Sequence, residues 1–367
     1  MKTSLSRLLL VALACSATSL LLASERPFTF MKGVNISHWL SQNGSTHAYG
    51  DPAWFNETDV AWIAAQGFDH IRLAVDVRLC LTPAGTLDEA KLKPVTDTIN
   101  WSKVRGLGLV LDAHFLPGAD FNSVGGDKRV FTDPVLMEKV AGVWRDLAKR
   151  YAGEGDWLRF EILNEPVAEQ NKQVNPFMHR MLAAIRESNP TRLVYVSGNR
   201  WSQFAAVPDV ELPADRNIAL TVHNYEPLVF THQKAPWVGV DDKMDAVKFP
   251  GVVPDMTGHV KADRHSFGKA GDPLTVAQVQ ADFAKLAAWV QQHRPGLEIY
   301  LGEFGVYQVV DADSKRNWIY TLRHESEKRG WGWAVWDYKG GFAVRGRDGN
   351  GTPILDGLFK GPGSIAP

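Results

Sequence analysis

The chain has 367 residues, of which 45% are hydrophobic and 22% charged, and its 40 Lys and Arg residues nearly balance its 41 Asp and Glu residues. This composition is typical of a soluble globular protein with a large core. No basic or acidic run stands out, so the sequence gives no support to a nucleic-acid or membrane-surface partner. It implies no protein partner either, and we expect a monomer.

The N-terminal segment predicts a secretory signal peptide rather than part of the fold. Lys2 and Arg7 precede an interrupted apolar stretch, the pattern of a basic region followed by a hydrophobic region. Cleavage fits two positions, after Ala14 or near Ser24. We therefore expect a secreted or periplasmic protein. Cys15 directly follows Ala14, so a lipid anchor on Cys15 is a second and less favoured interpretation.

Eight short apolar runs follow, separated by longer amphipathic stretches. Near-continuous apolar runs with little alternation are typical of parallel strands that are covered on both faces. The runs span residues 30–36, 70–75, 107–113, 158–163, 192–197, 218–222, 298–301 and 332–336.

The stretches between these runs show helical patterns. Asp133 and Pro134 supply an N-cap and a first-turn proline, and apolar residues then recur on one face up to Arg150. Residues 56–66 and 280–293 repeat the pattern. Eight strands alternating with helices predict a (β/α)8 TIM barrel. An open doubly wound sheet is the alternative, but no Gly-rich phosphate loop follows the first strand.

We interpret residues 1–24 as the signal peptide and residues 25–367 as one catalytic barrel domain. The longest insertion, residues 228–275 after the sixth strand, predicts a loop, and a loop of this length usually has a function. No linker, internal repeat or low-complexity tract indicates a second domain.

Polar side chains follow the apolar runs at the strand ends, where barrel enzymes have their active sites. Glu165 and Glu303 end the fourth and seventh runs. One protonated and one ionised carboxyl, opposed across a barrel mouth, can flank a single glycosidic bond, as glycoside hydrolysis requires. A lone Glu here is more often a structural ion-pair partner, but its neighbours favour catalysis. They are Arg72, His114, Asn164, His223, Tyr225 and Trp336.

Three motifs in this order, LNEP (163–166), HNYEP (223–227) and GEFG (302–305), resemble glycoside hydrolase family 5, the cellulase family within the retaining (β/α)8 clan. The resemblance extends over residues 28–360. It implies that Glu165 is the general acid/base and Glu303 the nucleophile, with their carboxyl groups about 5 to 5.5 Å apart.

The resemblance also implies roles for the other strand-end residues. Arg72 and Tyr225 correspond to groups that hydrogen-bond the nucleophile and lower its pKa, and Asn164 to the residue that binds the sugar 2-hydroxyl. His223 corresponds to the residue beside the acid/base. His114 and Trp336 correspond to the lining and the platform of the subsite for the cleaved sugar. No cofactor or metal is implied, and no zinc or calcium motif is complete.

The segment PLVFTHQKAPW, residues 227–237, is similar to a segment of bacterial family members that act on β-1,4-glucans. By this similarity Thr231, His232 and Gln233 line the cleft and Trp237 forms a wall. The segment SGNRWSQ similarly indicates that Trp201 stacks on a sugar, although both Trp residues could instead pack within their loops. An endo-β-1,4-glucanase is therefore our first interpretation.

Two other segments depart from the cellulase pattern. GVNISHWL, which contains His38, and HFLPGADFNS after the third strand are closer to the exo-β-1,3-glucanases of the family. The linkage and the endo or exo mode therefore stay open, with β-1,3-glucan and β-mannan as alternatives. A transglycosylase needs the same two Glu residues. A non-catalytic carbohydrate-binding protein on this fold is disfavoured because both carboxylates are present.

Overall fold

The computed structural model of the chain describes residues 28–43, 47–121, 125–241, 243–259 and 267–364. The predicted signal peptide and Cys15 lie outside these residues. Among the helices that are described, none combines the length and the apolar character needed to cross a bilayer.

Eight parallel strands close into a barrel, which confirms the predicted fold. Each apolar run of the sequence overlaps one barrel strand, and the order around the barrel is β1-β10-β9-β6-β5-β4-β3-β2. Two further short strands, β7 and β8, form a separate antiparallel pair. The ten strands are β1 (Lys32–Leu40), β2 (His70–Asp76), β3 (Gly108–Phe115), β4 (Leu158–Glu161), β5 (Val194–Val196), β6 (Ile218–Asn224), β7 (Gly251–Val252), β8 (Pro273–Leu274), β9 (Glu298–Phe304) and β10 (Gly332–Val335).

Helices surround the barrel and begin where the sequence provides caps. Asp133 accepts hydrogen bonds from the backbone of Val135 and Leu136, so α3 starts at the predicted residue. Asn56 and Asp59 form a capping box that starts α1. The helices and single helical turns are α1 (Glu57–Ala65), α2 (Glu89–Val104), α3 (Pro134–Arg150), α4 (Val174–Arg186), α5 (Asn199–Ser202), α6 (Leu228–Thr231), α7 (Val276–His293), α8 (Ala312–Glu327) and α9 (Pro353–Phe359).

Aromatic side chains fill the barrel interior toward the N-terminal ends of the strands. The rings of Tyr195 and Tyr300 stack with centroids 4.6 Å apart, and the Tyr300 hydroxyl lies 2.8 Å from Nε2 of His70. Phe30 packs below them, and a Cβ at Gly332 would collide with its carbonyl oxygen. The barrel is therefore a packed core rather than a pore, and only the opposite mouth is open for a site.

Candidate active site

Glu165 stands on a turn beyond β4 and not on the strand itself. The sheet pairing of β4 ends at Glu161, so the predicted strand over residues 158–163 is two residues too long. The chain then turns so that the Asn164 N–H donates to the Ala113 carbonyl, and Glu165 has φ 43°. Few non-glycine residues adopt this left-handed conformation, and it is enriched at functional sites.

Glu303 and Glu165 face each other at the mouth of the barrel. A carboxylate oxygen of each and a ring nitrogen of His223 lie within 4.8 Å of one another. Nδ1 of His223 is 2.9 Å from Oε1 of Glu165 and 3.8 Å from Oε2 of Glu303. This spacing is far below the roughly 6.5–9.5 Å of inverting glycosidases, in which a water molecule must fit between the carboxyl groups. The pair therefore has the geometry of a retaining enzyme.

Arg72 lies beneath the carboxyl pair and donates hydrogen bonds to the side chains around it. Its side chain is fully buried, and its five N–H groups donate to four side chains. Nε and Nη2 form a bidentate pair with Glu161, at 2.7 and 2.8 Å. Nη1 donates to Glu303 and Asn35, both at 2.8 Å, and Nη2 also donates to Asn164 at 2.9 Å. Since every donor is used, Arg72 orients the catalytic side chains from below and has none left for substrate.

Three partners of Arg72 were not among the predicted site residues. Asn35, Glu161 and Asp112 are all buried, and Oδ2 of Asp112 is 3.2 Å from the guanidinium. Each is a polar residue inside a near-continuous apolar run of the sequence. That interruption is the signal that could have identified them, because a buried charge in a strand needs a partner.

Glu303 is held by two donors, one on each oxygen. Oε1 accepts from Arg72 at 2.8 Å and Oε2 accepts from the Tyr225 hydroxyl at 2.9 Å. Burial raises the pKa of the Glu303 carboxyl, while the charge of Arg72 and the hydrogen bond from Tyr225 oppose that rise. The two donors thus favour the ionised form, which is the form that can attack carbon.

Glu165 has no such cation beside it. Burial raises the pKa of Glu165 well above its usual range, and the negative charge of Glu303 raises it further. His223 adds no positive charge, because burial lowers the pKa of its imidazole well below the usual value. The first proton to leave the pair therefore comes from Glu303, and Glu165 keeps its proton to higher pH.

The donors and acceptors around Asn164 fix the direction of its amide. Its Oδ1 accepts from Arg72, and its Nδ2 lies 3.5 Å from Nε2 of His114, which leaves one Nδ2 hydrogen for the cleft. His114 lies beside it, with Nδ1 2.6 Å from Oδ2 of Asp112, and burial lowers the pKa of His114 to about 3. His114 is thus a neutral side chain, and its ring stacks on Trp336 with centroids 5.5 Å apart.

An open cleft of about 530 Å³ lies above these residues. Trp201 lines one part of it, and its indole N–H donates to the Phe121 carbonyl at 3.1 Å. Trp237 is 58% exposed and packs edge-on against Tyr307. Eleven of the thirteen predicted site residues line the cleft: His38, His114, Asn164, Glu165, Trp201, His223, Tyr225, His232, Trp237, Glu303 and Trp336.

The structure does not place Arg72 or Gln233 in the cleft. Gln233 is buried, and its amide exchanges two hydrogen bonds with the backbone of Val247. Thr231, expected beside it, is fully buried and donates to the Tyr225 carbonyl. The reason is that the 228–275 insertion is not a bare loop: it contains α6 and the β7–β8 pair and needs these side chains to pack. Eight lining residues were missed, namely Gln42, Phe121, Gln203, Glu226, Leu228, Val238, Gly341 and Phe342.

Among the described residues, one group of side chains has the spacing needed to hold a metal ion, and it lies in this cleft. Glu165, His223 and Glu303 each offer one ligand atom at suitable spacing. Two carboxylates and an imidazole are ordinary ligands for divalent transition metals. Their hydrogen bonds to Arg72, Tyr225 and one another already account for their positions, and the absence of a metal requirement stays a prediction.

Known proteins resemble this chain along most of its length. A family model described as Cellulase (glycosyl hydrolase family 5) matches residues 31–341. Endoglucanase C of Acetivibrio thermocellus is 31% identical over 315 residues, which cover 85% of this chain and 92% of that protein. Cellodextrinase A of Ruminococcus flavefaciens is 26% identical over 301 residues, covering 82% and 83%.

Solved structures agree with these relatives. A mutant form of Thermotoga maritima Cel5A in complex with cellobiose matches with a TM-score of 0.73 at 25% identity, covering 90% of this chain and 96% of that one. The carboxylate spacing at the mouth of the barrel fits the retaining mechanism independently of these matches. The chain therefore belongs to glycoside hydrolase family 5 and is a retaining, cellulase-type glycoside hydrolase.

Proposed function

We propose that this protein is an endo-β-1,4-glucanase that works by double displacement. One observation carries the proposal: Glu165 and Glu303 oppose each other within 4.8 Å in an open cleft, and only Glu303 is held by a cation. The two carboxyls thus differ in protonation in the way that the two catalytic roles require.

In the first step, Glu303 attacks the anomeric carbon while Glu165 protonates the leaving glycosidic oxygen. A glycosyl-enzyme ester forms at Glu303, and the aglycone half of the chain departs. In the second step, Glu165 removes a proton from water, which attacks the same carbon and releases Glu303. Two inversions at one carbon retain the configuration. When the ester forms, Glu165 loses both its proton and the repulsion from Glu303, so its pKa falls and it can act as the base.

Neighbouring residues position the sugar. The Asn164 amide, oriented by Arg72, presents a donor where a 2-hydroxyl can accept. Such a bond strengthens as positive charge develops on the sugar. Trp336 presents a ring held in place by its stacking on His114, and a flat aromatic face suits the axial C–H bonds of a pyranose.

The endo mode and the β-1,4 linkage are supported by two observations. A relative that is 31% identical over 85% of this chain is an endoglucanase, and two further Trp side chains, Trp201 and Trp237, line the open cleft beside the catalytic pair. β-1,3-Glucan and β-mannan remain the alternative substrates, because His38 and the segment after β3 depart from the cellulase pattern.

Substitution of the two carboxyls by amides tests the assigned roles. We expect Glu303→Gln to lower kcat by several orders of magnitude on every substrate. Glu165→Gln should lower kcat/KM strongly on β-1,4-glucan but far less on 2,4-dinitrophenyl cellobioside, whose leaving group needs no proton, with a burst of dinitrophenol because the second step still lacks its base. The exposed Glu211→Gln is the matched control and should leave both rates unchanged. Equal losses on both substrates for the two variants would contradict the assignment.

A substrate panel tests the linkage and the mode. Carboxymethylcellulose, mixed-linkage glucan, laminarin, xyloglucan and mannan are compared by kcat/KM, with sizing of the products. We expect the cellulosic polymers to be preferred and their viscosity to fall before much reducing sugar appears. Release of one small sugar without a viscosity drop would contradict the endo mode, and product analysis with added acceptor sugars separates hydrolysis from transglycosylation.

We also propose that the protein is exported and acts as a monomer. The basic residues Lys2 and Arg7 before an apolar stretch support export. Mass spectrometry of the mature N-terminus separates cleavage after Ala14, with or without a lipid on Cys15, from cleavage near Ser24. Light scattering of the purified protein tests the monomer.

A further inference from the structure

A second groove continues the catalytic cleft at one end. It has a volume of about 970 Å³ and shares His38, Trp237 and Gly341 with the cleft, so a bound glycan can run from one into the other. Trp54 lines it as well and stacks on His47 with ring centroids 4.4 Å apart. A sugar ring that leaves the catalytic pair on this side therefore meets an aromatic face.

The fold fixes which end of the cleft this groove occupies. Most of its lining comes from the segments that follow β1 and β10, including residues 339–341 and 345–347. In the closed strand order, β1 lies four positions from β5, after which Trp201 is found. The groove and Trp201 thus lie at opposite sides of the barrel mouth, with the catalytic carboxylates between them.

The groove differs from the catalytic cleft in its charge. Four cationic side chains line it, and Asp59 is the one carboxylate among its described lining residues, which leaves an excess of three positive charges. Asp59 is buried and accepts from Lys339 at 2.8 Å and from Arg345 at 2.9 Å. Among the described residues, no carboxylate lies within salt-bridge distance of the other two cations, Lys315 and Arg347.

These two cations are differently placed. Arg347 is exposed on the segment after β10, and no side-chain hydrogen bond or ion pair engages it among the described residues. Lys315 is partly buried on α8, and its ammonium donates to the Gln308 carbonyl at 2.7 Å. Burial lowers the pKa of Lys315, an effect that the nearby Asp311 opposes. A partly desolvated cation without a carboxylate gains more from an incoming anion than a solvated one.

A neutral glucan does not explain this charge. Each sugar hydroxyl both donates and accepts, so a neutral sugar is bound by a mixture of donors and acceptors. This groove offers charged donors in excess, and guanidinium and ammonium groups match carboxylates in particular. A glycan with acidic groups fits both of its features, the Trp54 ring and the uncompensated cations.

We propose that this groove binds a carboxylate carried by the glycan, so that the preferred substrate is an acidic β-glucan rather than a neutral one. The proposal rests on the proposed function, because it concerns the chain that the catalytic pair cleaves. Arg347 is the specificity residue, and Lys315, which lines the same groove, assists it.

Two cellulose ethers of similar substitution test the proposal. Carboxymethylcellulose carries carboxylates and hydroxyethylcellulose carries neutral groups. We expect Arg347→Glu to lower the ratio of kcat/KM for carboxymethylcellulose to that for hydroxyethylcellulose about tenfold, mainly through KM. Arg216→Glu is the matched control, since Arg216 is exposed in the loop before β6, at the other end of the barrel, and should leave the ratio unchanged. Added salt should lower the ratio in the unmodified protein and have little effect in Arg347→Glu.

Each outcome decides one claim. If Arg347→Glu and Arg216→Glu give the same ratio, or if salt does not affect the unmodified protein, the groove does not select for charge and the inference is overturned. If Arg347→Glu lowers the rates on both polymers equally, the groove binds neutral sugar and the inference again fails. If the unmodified protein cleaves neither polymer, the proposed function itself fails, a result distinct from the others.

Discussion

At the scale of single residues, the site depends on how one cation is shared among several carboxyls. Arg72 contacts Glu161, Asp112 and Glu303, and a single positive charge cannot neutralise three negative ones. Burial accordingly raises the pKa of Asp112 to about 7, although Arg72 opposes the rise. Glu303 has a second stabilising donor in the Tyr225 hydroxyl, at 2.9 Å. The ionised state of the attacking carboxylate therefore depends on both donors.

This dependence predicts a pH effect of Tyr225→Phe. The Tyr225 hydroxyl donates to the ionised form of Glu303 at 2.9 Å, so its removal raises the pKa of Glu303. Activity requires ionised Glu303 and falls as the pH falls through that pKa. We expect the acidic limb of the kcat/KM profile to move to higher pH, with a loss of about tenfold on that limb, the value of one hydrogen bond to a charged group.

The measurement is a pH–rate profile on a neutral oligosaccharide. Tyr320→Phe on α8 is the control, because this hydroxyl belongs to a ring that stacks on His324 away from the cleft. The basic limb, which reports Glu165, should move much less than the acidic limb. An unshifted acidic limb in Tyr225→Phe would show that Tyr225 does not support the ionised state of Glu303.

At the scale of elements, the GEFG motif reports how closely strands approach at the barrel mouth. A Cβ at Gly302 would lie 2.5 Å from the Thr221 hydroxyl on β6. A Cβ at Gly305 would lie 2.4 Å from the carbonyl oxygen of Trp336, which follows β10. Both distances are far shorter than a van der Waals contact. The glycines thus allow β9 to approach both neighbours and bring Glu303 and Trp336 to one site.

Gly305 allows this close packing to be tested. In Gly305→Ala the added methyl must displace the backbone of Trp336, and with it the sugar platform. We expect kcat/KM to fall about a hundredfold, since a displacement of about 1 Å of a positioning group can cost that much. Gly153→Ala is the control, because no atom lies within 4 Å of the added Cβ. Unchanged kinetics in Gly305→Ala would show that Trp336 does not need this position.

The sequence predicts the elements better than their ends. Each of the eight apolar runs overlaps one barrel strand, because strands buried on both faces cannot tolerate much polarity. The run that ends at Leu163 nevertheless overshoots β4, since residues 162–164 are buried in the turn after the strand. Burial leaves the same apolar signal in both cases. The left-handed backbone conformation of Glu165 could not be predicted from the sequence, because the residue is not a glycine.

At the scale of the whole molecule, the barrel brings together residues that are far apart in the chain. Asn35, Glu161 and Glu303 come from three different strands and meet on Arg72, which lies on a fourth. The motifs of the sequence predicted the carboxyl pair and most of the cleft lining, because these side chains stand at strand ends. The motifs could not predict the hydrogen bonds around Arg72, because the sequence does not show which partner a polar residue within a strand contacts. Gln233 was misplaced for a related reason: its partner Val247 belongs to the folded insertion.

The single described cysteine offers a probe of the whole fold. Cys80 is fully buried, and burial raises the pKa of its thiol to about 11. At pH 8 only about one thiol in a thousand is then ionised, and the thiolate is the reactive form. We expect a thiol reagent to label folded protein lacking Cys15 very slowly. In urea, labelling should rise with the same midpoint as the loss of circular dichroism, because Cys80 packs in the core between the barrel and its helices.

The Tyr49 hydroxyl lies 3.1 Å from the Cys80 sulfur, and this hydrogen bond lowers the pKa of the thiol, against the effect of burial. Tyr49→Phe removes this contact and leaves the burial. Because burial is the largest cause of the raised pKa, we expect this variant to be at least as well protected in native buffer. Rapid labelling of folded Tyr49→Phe would show that burial alone does not protect the thiol. Labelling of the unmodified protein at a urea concentration below the circular dichroism midpoint would show that this side of the barrel opens before the rest.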